Sequence, residues 1–153
     1  SKVDMLIMRD GFSQADSAKF KNDVLRMTDA LFATAPFKQR KNDFNVWAIL
    51  PKSDVSGISR PSNGEHKDTP LGLRYDIFGS ERYMFLLDNK NFRKIASQAP
   101  YEFVEIVANG EVYGGGGIYG LYGTSSSDND WSNYVFIHAF GHHFAGLADE
   151  YYA

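Results

Sequence analysis

Three of the four histidines crowd one short segment near the end of the chain: His138, His142 and His143. His138 and His142 stand four apart, the separation that puts two side chains on one helical face, a turn from each other. Two imidazoles so placed reach a single tetrahedral metal ion at about 2.0–2.1 Å. His143 projects about 100° away from that face and is a poor third ligand. Gly146 is placed to break the helix and turn the chain back, and Asp149 and Glu150 follow at once. Two histidines and a carboxylate, with one coordination position left open, make the donor set of a catalytic zinc site. A histidine pair at this spacing also arises in ordinary packing. The helix-stopping glycine and the acid pair favour the metal reading.

A hydrolytic zinc helix of this kind reads H-E-x-x-H, its glutamate serving as general base toward the attacking water. Here the run is His138-Ala139-Phe140-Gly141-His142. A methyl group stands where the carboxylate belongs, and it accepts no proton, so the residues specify a metal site without its base. The glycine run from Gly114 to Gly117 lacks the Lys-Ser/Thr of a phosphate-binding loop and any G-x-G-x-x-G helix start, so it reads as a glycine loop rather than a nucleotide site. His66 lies in a polar stretch and is assigned no role.

The elements that must position these groups follow from periodicity and punctuation. Val3 to Met8 is an apolar run interrupted by Asp4 and reads as a buried strand. Ser13 with Asp16 forms a capping box before a helix whose stripe is Phe20, Val24, Met27 and Leu31, halted before Pro36. Phe44 to Leu50 is a second strand ending at Pro51. Pro51 to Gly79 reads as a long surface loop with little regular structure, and Ser80 to Leu87 carries no clear period. Asp88 to Gln98 is a helix with Phe92, Ile95 and Ala99 on one face, and Pro100 ends it. Phe103 to Ala108 is a strand followed by the turn pair Asn109-Gly110. Ile118 to Tyr122 is expected as a strand and Thr124 to Asp130 as a polar loop. Trp131 to Ala145 is the last helix, with Trp131 anchoring its start and Gly146 ending it. The order predicts an α/β domain, a twisted mixed sheet backed by helices.

The chain has 153 residues, 43% hydrophobic and 23% charged, which suits one globular domain and excludes wholesale disorder. A net charge of −3 argues against nonspecific nucleic-acid or anionic-membrane binding. With no cysteine, thiol catalysis, iron–sulfur clusters and Cys-ligated zinc are excluded. No apolar run approaches the roughly 20 residues of a membrane span. The segment Tyr151-Tyr152-Ala153 follows directly on the richest motif, so the chain is expected to be a piece of a longer protein with further domains.

The run from His138 to Tyr152 resembles the active-site segment of the IgA-peptidase family of zinc metallopeptidases, which has H-E-F-G-H followed by a stretch like S-F-A-G-L-A-D-E-Y-Y. Asp10-Gly11-Phe12-Ser13, Phe78-Gly79-Ser80-Glu81-Arg82-Tyr83, Gly114-Gly115-Gly116-Gly117-Ile118-Tyr119 and Trp131-Ser132-Asn133-Tyr134-Val135-Phe136 fit the same pattern, so the likeness spans nearly all of residues 1–153. It implies a metzincin-like catalytic domain, with the C-terminal portion and its methionine turn beyond this sequence. It implies Zn2+ on His138, His142 and Asp149, with Glu150 the alternative third ligand. Gly146 and Asp149 each stand one position later than in the metzincin pattern. Ala139 occupies the position of the general base, which reads as an inactivating substitution, with a natural pseudopeptidase that binds protein or glycan as the alternative. Gly115, Gly116, Gly117, Ile118 and Tyr119 match the edge strand that pairs with extended substrate, with Tyr119 and Tyr122 as possible subsite flanks. Tyr151 and Tyr152 are candidate oxyanion donors or packing groups. The implied substrate is a protein, immunoglobulin A heavy chain near its hinge, and the implied setting is secreted or at the cell surface.

Overall fold

The computed structural model describes residues 1–151. One five-stranded sheet organises it, in the order β2-β1-β5-β7-β6. Its strands are β1 (Val3–Asp10), β2 (Phe44–Ile49), β5 (Phe103–Ala108), β6 (Gly115–Ile118) and β7 (Tyr122–Ser126). The first four in that order are parallel, and β6 closes the edge antiparallel to β7. The sheet is mixed, as expected. β1 is apolar along most of its length because both of its faces are covered. Met5 and Ile7 point to one core, Leu6 and Met8 to the other, and all four are fully buried.

The first core lies beneath α1 (Ser17–Ala33) and α4 (Ser132–Ala145), where Phe20, Met27, Leu31, Phe136 and Phe140 meet the sheet. A single-turn helix, α2 (Phe37–Arg40), brings Phe37 against Phe140 and Phe144. Before α1, the Ser13 N–H donates to the Asp16 carboxylate over 2.8 Å, the expected capping interaction, at the start of a short 3-10 turn. The second core lies beneath α3 (Asn89–Ala96) and the small hairpin of β3 (Leu73–Arg74) with β4 (Phe85–Leu86). Asp88 caps α3 by accepting from the Asn91 N–H.

Three expectations need correction. The stretch from Pro51 to Gly79 is poor in regular structure but is not merely a surface loop. Ile58, Leu71, Leu73, Tyr75 and Ile77 are buried in it. Its anchor is Asp10, fully buried at the end of β1, whose carboxylate accepts from Thr69 Oγ1 and from the N–H groups of Leu71 and Leu73 at 2.7–3.0 Å. The one strand expected after Ala108, over Ile118 to Tyr122, is replaced by two that flank a turn. The edge strand is Gly115–Ile118, residues 119–121 turn, and Thr124, Ser125 and Ser126 lie in β7, each wholly buried, where a polar loop was expected. The ladder satisfies the backbone of this strand and Thr124 Oγ1 donates to the Met84 carbonyl, while the small Ser125 and Ser126 hydroxyls are buried without a hydrogen-bond partner among the described residues. Finally, Trp131 is 62% exposed and not a core anchor; its ring meets only Tyr134 of the first turn edge-on among the described aromatic pairs, and its carbonyl accepts the first helical bond, from Val135.

Glu105 is wholly buried in β5 on the α4 side, and neither carboxylate oxygen has a hydrogen-bond partner among the described residues. Gly123, its cross-strand neighbour, leaves room for the carboxyl by lacking a side chain. Burial pushes the Glu105 carboxyl well above its ordinary range. A carboxyl raised in the folded state contributes stability that is full below its unfolded value, about 4.3, and declines as pH rises toward the folded one. Glu105→Gln keeps the shape and removes the titration. The melting-temperature advantage of this variant is expected to widen from about pH 5 to about pH 8. A pH-independent difference between the two melting curves would show instead that Glu105 is ionised in the fold.

Candidate metal centre and cleft

α4 carries the histidines because its sequence is apolar on the side facing the sheet and keeps His138 and His142 toward the open side. Val135, Phe136, Ala139, Phe140 and His143 are buried, while His138 and His142 are only half-buried. The helix ends at Gly146, whose left-handed φ of 63° suits glycine. The Gly146 N–H donates to the His142 carbonyl, the single 5→1 bond of an αL closure, and the Leu147 N–H reaches the Gly141 carbonyl. That closure turns the chain back over the helix despite the extra residue before Gly146.

The returning chain delivers Asp149 to both imidazoles. Asp149 Oδ1 lies 3.2 Å from His138 Nε2 and 3.0 Å from His142 Nε2, and the two Nε2 atoms are 2.9 Å apart. A tetrahedral ion with bonds of about 2.0–2.1 Å separates its ligand atoms by roughly 3.3 Å, so the triangle is within a few tenths of an ångström of metal geometry. His142 Nδ1 donates to the Leu147 carbonyl, which fixes the tautomer and leaves Nε2 with its lone pair facing the cluster. Burial, assisted by the fields of His142 and Arg82 and opposed by Asp149, holds the His138 imidazole below its usual range, in the neutral form a metal needs. These donors form the single grouping of its kind among the described residues; Glu150 is outside it.

His143 has a structural role. It is 1% exposed, its Nδ1 meets the Ile118 carbonyl and its Nε2 accepts from the Val104 N–H. It thus ties the end of β6 to β5 beyond the end of the β7 ladder. Burial lowers its pKa and keeps it neutral.

Beside the histidines runs a cleft of about 300 Å³, walled by α4 on one side and by β6 and residues 82–85 on the other. The glycine run explains how close these walls come. A Cβ on Gly115 would stand 2.5 Å from Val135 Cγ1, one on Gly116 the same distance from the Phe85 ring, and one on Gly117 2.6 Å from the Ala139 carbonyl oxygen. Only glycine lets β6 lie directly on the histidine-bearing helix. Gly117→Ala is expected to force these elements apart at a cost of about 1–3 kcal/mol, read as a lowered urea midpoint. An unchanged midpoint would mean that the strand shifts without strain.

Of the stretch expected to pair with substrate, part is already engaged. The Gly115 N–H donates to the Arg82 carbonyl, and its own carbonyl accepts from the Met84 N–H. Gly116 is turned toward β7 by strand alternation, with its carbonyl near Thr124 Oγ1. Gly117 is the glycine whose backbone groups face outward. The Ile118 carbonyl is taken by His143 and by the Leu121 N–H. Tyr119 is 71% exposed and packs over Gly146, whereas Tyr122 is core, its hydroxyl accepting from the Leu86 N–H. Tyr151 stacks on His138 and lines the cleft; Tyr152 lies outside the described residues. Ala139 lines the cleft between the two histidines. Arg82, Tyr83, Phe85 and Tyr113 complete the wall; in the sequence, residues 78–83 carry only a family likeness, and the bridge from Tyr83 to Gly115 is what brings that segment to the cleft.

This arrangement is what a metal-dependent hydrolase acting on an extended chain requires: a three-donor centre beside a cleft whose wall includes a strand edge. The family model for IgA peptidase M64 matches residues 1–153, and the chain belongs to that family, whose members are metallopeptidases. None of the curated proteins matches the chain. No helix among the described residues is long and apolar enough to cross a membrane.

Proposed function

We propose that this chain is the catalytic domain of a secreted or cell-surface zinc endopeptidase of metzincin type, in a form that binds metal and substrate without cleaving. The observation that carries this reading is the convergence of His138, His142 and Asp149 beside the cleft, with Ala139 at the position of the base. A zinc ion held there supplies Lewis-acid polarisation of a peptide carbonyl and lowers the pKa of water. The protein's own residues do the rest. Gly117 offers an N–H and a carbonyl to an extended substrate strand, and the Leu147 carbonyl orients His142. A glutamate at position 139 would accept the proton from water and pass it to the leaving amine; alanine does neither. Immunoglobulin A is the substrate that the family's name supports, and its heavy chain near the hinge is the cleavage region this reading takes.

Ala139 equally favours a second reading, a pseudopeptidase that recognises protein or glycan through its metal site. Restoring glutamate separates the two, and is taken up in the Discussion.

A further inference from the structure

We propose that Arg82 forms a subsite for a carboxylate of the bound peptide, one or two residues from the scissile bond. This rests on the peptidase reading and names what the cleft selects. Arg82 is the one Lys or Arg among the residues lining the cleft. The carboxylate there, Asp149, is engaged with the two histidines. Arg82 itself makes no ion pair among the described residues. A cation beside a peptide cleft, without an internal partner, is available to an anionic group on the ligand.

Its placement is prepared rather than incidental. The Arg82 carbonyl is fixed by the Gly115 N–H at 2.9 Å, so its backbone moves with β6. Its guanidinium carbon lies 5.1 Å from the ring centroid of Tyr83 and 5.4 Å from that of Tyr151. One N–H group donates to the Tyr83 hydroxyl at 3.2 Å. Two aromatic neighbours restrict the rotamers of a long side chain while leaving most of its donors open for a fork-like grip on a carboxylate. The strand edge gives the location. A peptide paired with Gly117 runs, at one end, into the segment Arg82–Met84 that already occupies the edge at Gly115. The peptide residue arriving there meets Arg82. An acidic side chain and a free C-terminus offer the same carboxylate, and both fit this position.

The test uses the zinc-loaded chain as it is, since Ala139 permits binding without turnover. Three degenerate decapeptide pools are passed over the immobilised protein and retained peptides are sequenced: free C-terminus with Asp and Glu allowed, amidated with Asp and Glu allowed, and amidated without either. Carboxylate-bearing peptides are expected to be enriched about tenfold or more, the scale of a charge-assisted hydrogen bond. The enrichment is expected to vanish in Arg82→Gln and to survive in part in Arg82→Lys, with zinc content unchanged in both. Enrichment in the amidated pool assigns an acidic side chain; enrichment confined to the free-terminus pool assigns the terminal carboxylate. Zinc-dependent retention without carboxylate preference, or a preference that Arg82→Gln leaves intact, overturns the role of Arg82 and leaves the peptidase reading standing. No zinc-dependent retention of any pool overturns both.

Discussion

Replacing Ala139 with glutamate is expected to create peptidase activity where the unsubstituted chain has none above background. Position 139 lines the cleft between His138 and His142, so a carboxylate there reaches the space in which water attacks a bound peptide. General-base catalysis contributes about 10²–10⁴-fold, and for water attack on an amide we expect the upper end of that range. Zinc binding should be unaffected, because position 139 is not among the converging donors. The assay is cleavage of immunoglobulin A heavy chain and of a quenched generic protein substrate, with and without chelator, in the longest available form of the protein. Cleavage that chelator abolishes establishes the peptidase. Zinc-loaded, folded Ala139→Glu protein that cuts neither substrate points to the metal-dependent binding module. Cleavage of the generic substrate alone would keep the peptidase and remove the proposed target.

The second large effect concerns the metal. The purified chain should retain about one zinc through dialysis, measured by elemental mass spectrometry. Outer partners of metal ligands typically alter affinity 10–100-fold, so deleting a ligand itself should exceed about 100-fold. His142→Ala and Asp149→Ala are expected to lose zinc on dialysis, whereas Glu150→Ala should keep it, because Asp149 and not Glu150 meets the histidines. Zinc at about 100 times its dissociation constant adds about 2.7 kcal/mol to stability, so a zinc-dependent rise in melting temperature gives an independent readout. That rise should persist in Glu150→Ala and disappear in Asp149→Ala. The reverse pattern would move the third ligand to Glu150. No zinc on any folded form would leave His138 and His142 as packing groups.

Much of this protein was decided locally, and local decisions are written in sequence. The four-residue spacing of His138 and His142 fixes a shared helical face whatever lies around it, and Gly146 ends that helix because a left-handed residue is needed there. The burial of β1 on both sides, the stripe of α1 and the lack of a carboxylate at position 139 follow from residue type alone, and the resemblance of the closing motif places the chain in its family. The tertiary structure decided what depends on distant partners. Thr124, Ser125 and Ser126 look like loop residues until β5 and β6 flank them. The stretch Pro51–Gly79 looks like surface until Asp10 draws Thr69, Leu71 and Leu73 over the core. The choice of Asp149 over Glu150, the fit of the glycines against α4, and the arrival of Arg82 at the cleft are all contacts between segments that the backbone alone does not bring together. Periodicity reports which way a residue faces along its own element; what it faces is set by closure of the chain over long sequence separations, and no short pattern encodes that.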